Sequence, residues 1–139
     1  VILECKITTD MKIDTKMWQA YREPFFRFSR ELTCREFAII TAWNPRSQLM
    51  SNEYNRIKNN ALERRLRHYS YVSVLVGDAQ FCWAEESFAA ALPLVKALSL
   101  GREFAQNAIY YVRDGELLLF SCQGTQKEHL GALTSRCCE

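Results

Sequence analysis

The chain contains no apolar run close to the roughly 20 residues that a membrane-spanning helix requires. Its opening, VILECKITTD, has no basic stretch followed by a long apolar one, so it does not read as a secretory signal. Strong charge of one sign is missing too. Lys and Arg number 18 against 16 Asp and Glu, a formal +2 that is too mild to imply nucleic acid by itself. Histidine occurs only twice. The six cysteines (Cys5, Cys34, Cys82, Cys122, Cys137 and Cys138) form no CxxC pair, and none has a histidine at ligand spacing. No zinc or other metal site is expected from those spacings, and no cofactor. A reduced, cytoplasmic setting is the simplest expectation. Repeats, low-complexity segments and linkers are also missing.

What is present suits one globular domain. In 139 residues, 48% are hydrophobic, enough to bury a core without disulfide or metal staples. Met11 begins a more ordinary start, MKIDTKMWQAY. Residues 1–10 are therefore read as an extension, 11–122 as the domain and 123–139 as a tail with at most a short helical turn.

Residues 14–22 read as a short helix capped by Asp14 or Thr15 and ended by Pro24. FFRF (25–28) reads as a strand, and EFAIITAW (36–43) as a stronger one stopped by Asn44-Pro45. Ser51 is a suitable N-cap for a helix reaching about His68. YVSVLV (71–76) and SFAAAL (87–92) read as strands, 94–105 as a helix weakened by Gly101. AIYYV (108–112) and ELLLFSC (116–122) form a hairpin about Arg113-Asp114-Gly115. From residue 36 the order is β-α-β-β-α-β plus a hairpin strand. That order predicts an α+β fold of the ferredoxin-like split β-α-β kind, a mainly antiparallel sheet with helices on one face. A sandwich of the same elements wired differently is the alternative.

Four asparagines, Asn52, Asn55, Asn59 and Asn60, begin the 51–68 helix, although asparagine is a poor helix former. At 100° per residue, Asn55, Asn59, Leu62 and Leu66 share one stripe. The leucines must face the core, so the two amides face inward near the helix start. Buried without partners, each would cost about 1–3 kcal/mol. The assumed threading supplies partners at that end of the sheet: WNPRS (43–47), EES (85–87) and QN (106–107). The cluster is either a structural network or a ligand pocket.

ITAWNPRS, the Asn55-x3-Asn59-x2-Leu62 spacing, WAEESF and FAQNAIYYV, preceded by WQAYRE, resemble domain of unknown function 3293, an uncharacterised bacterial family. The resemblance spans roughly residues 17–113. It implies a small bacterial cytoplasmic protein and no particular activity. The chain departs from the family in a short loop between Val76 and Trp83 and in its cysteine-bearing tail.

The expected function is a binding or regulatory module. Asn44, Arg46, Asn55, Asn59, Glu86, Ser87, Gln106 and Asn107 would hold a small polar or anionic ligand. Amides donate and accept hydrogen bonds but are poor acid–base catalysts. The alternative is a metal-independent hydrolase or nucleic-acid-processing factor with Glu86 as base. A third reading is an interaction protein, with the Arg64–His68 turn or an exposed edge strand at 116–122 meeting nucleic acid or a second copy.

Overall fold

The computed structural model describes residues 13–138. The extension read at 1–10 lies outside the described residues. Ten elements follow one another: α1 (Thr15–Tyr21), β1 (Phe25–Phe28), β2 (Glu36–Ile40), α2 (Asn52–Leu66), β3 (Tyr71–Gly77), β4 (Ala84–Ala90), α3 (Leu94–Glu103), β5 (Ala108–Arg113), β6 (Glu116–Ser121) and β7 (Lys127–Ala132). The fold is α+β: the seven strands form one sheet in the order β1-β3-β4-β2-β5-β6-β7, and each neighbouring pair is antiparallel. The sheet curls. After β7 the chain returns to β1, where Phe26 bridges Cys137 and the Cys138 N–H donates to the Phe26 carbonyl at 2.7 Å.

Side-chain alternation sorts the core into two layers. Ala38, Ile40, Phe88, Ala90, Ile109 and Tyr111 face Leu62 and Leu66 of α2 and Ala97 and Leu100 of α3. Phe37, Ile39, Val72, Val74, Val76, Ala89, Tyr110 and Val112 face the opposite way, towards Phe26 and towards Met17 and Tyr21 of α1. The expectation of helices on one face holds for α2 and α3 and fails for α1. α1 carries its apolar residues to the concave side, which would otherwise expose a full second layer. Nothing in a seven-residue helix says which face it will cover.

The segment read as a tail is the second correction. Residues 127–132 form β7, and a 3₁₀ turn follows at Leu133–Arg136. The KEHLGA segment shows weak alternation and carries a glycine, so its strand signal is small; pairing with β6 decides it. Because β7 covers β6, residues 116–121 are not an exposed edge, and the dimer surface expected there is not available.

The end of α3 has a left-handed residue that is not glycine. Ala105, at φ +57°, follows the C-cap residue Phe104. Gln106 N–H donates to the Gly101 carbonyl at 2.8 Å and Ala105 N–H to that of Arg102 at 3.1 Å, a Schellman closure. An L side chain in that conformation costs about 1 kcal/mol. Ala105→Gly is therefore expected to raise stability by about 0.5–1 kcal/mol, read from the urea midpoint.

Candidate functional site

The rim of the sheet where β2 ends, α2 starts, β4 starts and β5 starts carries a dense polar network. Its spine is the β2–α2 connection. Asn44, Arg46 and Ser47 have φ of +47°, +56° and +58°. Three left-handed residues in four positions store a few kcal/mol of strain between them, of order 1 kcal/mol or more each. The hydrogen bonds around them hold the shape. Arg46 N–H donates to the Ala105 carbonyl at 2.7 Å, and Ser47 N–H to that of Asn44 at 2.9 Å.

Asn55 and Asn59 fasten this connection to α2. Asn55 Oδ1 accepts from the Asn44 N–H at 2.9 Å. Its Nδ2 donates to Asn44 Oδ1 at 2.9 Å and to the Met50 carbonyl at 3.4 Å. Asn59 Oδ1 accepts from the Ala42 N–H at 2.8 Å, and its Nδ2 donates to the Glu86 carbonyl at 2.7 Å. The Thr41 hydroxyl donates to the same carbonyl at 2.7 Å. Just past its last residue, β2 is thus joined to β4 through side chains. Both inward amides are occupied, by backbone groups and by the Asn44 and Thr41 side chains, as in a structural network. Asn52 and Asn60 are exposed.

Asn44 links this network to the concave layer. It is 2% exposed, and its Nδ2 donates to Glu85 Oε2 at 3.2 Å while its Oδ1 accepts from Met50 N–H at 2.9 Å. The buried carboxylate is therefore Glu85, 2% exposed, whereas Glu86 is exposed. This corrects the choice of Glu86 as the inward acid. Glu85 and Ser87 share the parity of Ala89 and face the concave side; Glu86 shares that of Phe88 and faces α2. A strand buried on both faces has no hydrophobic alternation from which to read that parity.

On the concave side the polar groups surround a cavity of about 40 Å³. Tyr21, Ser47, Glu85, Ser87, Gln106 and Asn107 supply its polar wall, and Ile39, Val76 and Tyr110 are among its apolar neighbours. Tyr21 Oη lies 2.5 Å from Ser47 Oγ. Asn107 directs Nδ2 at Tyr21 Oη, 3.2 Å away, and at Ser47 Oγ, 3.4 Å away. Gln106 Nε2 donates to the Trp43 carbonyl at 3.4 Å. The Tyr110 hydroxyl donates to the Tyr21 carbonyl at 2.6 Å, and burial pushes its pKa well above the usual phenol range. Water occupies a cavity of about 10–15 Å³ or more when polar partners are at hand. A space of this size takes one small polar group, not a whole metabolite.

The eight residues expected at a site therefore divide. Asn44, Ser87, Gln106 and Asn107 reach the cavity or bond its wall. Asn55 and Asn59 brace the connection behind it. Arg46 is exposed, and Glu86 lies on the other face of the sheet. Sequence reasoning missed Tyr21, Ser47 and Glu85. Ser47 and Glu85 stood inside the quoted WNPRS and EES segments. Tyr21 had no signal, because the docking of α1 was not foreseen.

The family described as "Protein of unknown function (DUF3293)" matches residues 40–109, about half of the chain. The match runs from the last residue of β2 to the second of β5. It contains all the rim residues named above except Tyr21, Ile39 and Tyr110. No curated protein and no solved structure matches the chain. Among the described residues no helix is long and apolar enough to cross a membrane.

Proposed function

We propose, from the premise that this chain belongs to the DUF3293 family of proteins of unknown function, that it is a small binding or regulatory domain. Its site is the concave cavity, which takes the polar head of a small ligand. The observation that carries this reading is the gathering of Tyr21, Ser47, Glu85, Ser87 and Asn107 around buried space. Protein interiors leave few voids, and polar side chains are seldom spent on lining one. The strained connection that delivers Ser47 to the wall supports the same reading. Glu85 shapes the choice of ligand. A carboxylate in the wall disfavours an anion, so the head is neutral or cationic: an amide, a hydroxyl or an ammonium.

The central strands β3-β4-β2-β5, with α2 and α3 on one face, support reading the frame as ferredoxin-like split β-α-β, extended by β1, β6 and β7. In that reading, the site lies where the end of β2 and the starts of β4 and β5 meet.

The test is an amide-resolved NMR titration with formamide and methylammonium, and with formate as the anionic comparison. Saturable shifts at Ser47, Ser87 and Asn107 with formamide or methylammonium, and none with formate, are expected. Ser87→Val adds a methyl group to the cavity and should abolish the shifts, while native amide dispersion in the same spectra shows that the fold survives. Absence of saturation with every probe, or the same shifts in Ser87→Val, would overturn the reading.

A further inference from the structure

A second site lies on the other face of the sheet, independent of the cavity. There α2 and α3 lie over the central strands and leave β1 and β3 open. Arg27 and Ser73 are exposed on that side, and Leu75 is half-buried. Between these strands and α2 runs a trough of about 440 Å³, with Arg56, Asn60 and Glu63 on the helix wall and Glu86 on the floor. That volume is in the range of small-molecule sites, about 300–1,000 Å³.

The register gives the trough its chemistry. Arg27 pairs with Leu75, and Leu75 pairs with Glu86, so the three stand in one row across β1, β3 and β4 on the same face. Neighbouring strands are about 4.8 Å apart, which places the Arg27 and Glu86 Cα atoms about 10 Å apart. The Arg27 guanidinium is drawn over the Phe81 ring, 4.3 Å from its centroid. Among the described residues neither Arg27, Arg56 nor Glu86 forms an ion pair. A cation and an anion are thus held apart with an apolar side chain between them.

The geometry points to a zwitterionic dipeptide as the occupant of this trough. Its ammonium would meet Glu86, its carboxylate Arg27, and its apolar side chain Leu75. Two extended residues span about 7 Å, which fits between side chains rooted about 10 Å apart. A ligand of single sign would satisfy one end of the row and be repelled by the other. A free carboxylate suits the planar two-pronged donor of arginine.

The experiment is an NMR titration of the full chain with alanyl-leucine and with its N-acetyl, C-amide form, which carries no charge. Saturable shifts at Arg27, Leu75 and Glu86 with the free dipeptide, and none with the blocked one, are expected. Glu86→Gln and Arg27→Gln should each weaken binding at least tenfold. Both residues are exposed, so the unfolding midpoints should stay put. No saturation, equal binding of the blocked form, or undiminished affinity in both variants would overturn the inference.

Discussion

Replacing Asn55 by leucine is expected to cost about 2–4 kcal/mol of stability, although leucine is the better helix former and similar in size. The reason lies in what the amide holds. Its Oδ1 takes the buried Asn44 N–H, and its Nδ2 serves Asn44 Oδ1 and the Met50 carbonyl. Leucine would leave the Asn44 N–H buried with no acceptor, at about 1–3 kcal/mol, and remove the brace on a left-handed connection. Asn60, exposed on the same helix, supplies the contrast. Asn60→Ala should be neutral or stabilising by about 0.5 kcal/mol, since alanine is the better helix former and no brace is lost. Urea unfolding of the two variants beside the parent checks both statements. Equal, small effects at the two positions would remove the network from the account.

The second large effect concerns alkaline pH. Cys122 is buried, and burial pushes its thiol from the usual 9.0 up to about 12. A group whose pKa is raised in the folded state contributes stability in full below its unfolded value. That contribution is lost as pH rises through the folded value. At about 1.36 kcal/mol per pH unit, Cys122 alone would account for about 4 kcal/mol between pH 9 and 12. Tyr110 acts in the same direction from its ordinary 10.0 upward. Cys122→Ala should therefore start less stable through its small cavity, yet show a flatter decline above pH 9 than the parent. Parallel declines in the two proteins would show that the thiol titrates as freely in the fold as out of it.

Much of the fold could be read from local signals because the elements from residue 36 onward are strong and well punctuated. Asn44-Pro45, Gly77-Asp78 and Asp114-Gly115 mark turns, and the Leu62/Leu66 stripe orients α2. Side-chain parity in β4 was harder. Ser87, Phe88, Ala89 and Ala90 are all buried, so nothing in their order told Glu85 from Glu86. The placement of α1 and the pairing of β7 are decided by tertiary contact. The first depends on an uncovered concave layer, the second on the free side of β6. The asparagines were legible as inward-facing, but most of what they bond is backbone. Backbone partners leave no trace in residue identity.

The most direct measurement is a crystal structure of the protein grown with saturating methylammonium or formamide. The account predicts the probe between Tyr21, Ser47, Glu85 and Asn107, in hydrogen-bond contact with at least two of them. A cavity that holds only water under those conditions, with the four side chains unmoved, would contradict it.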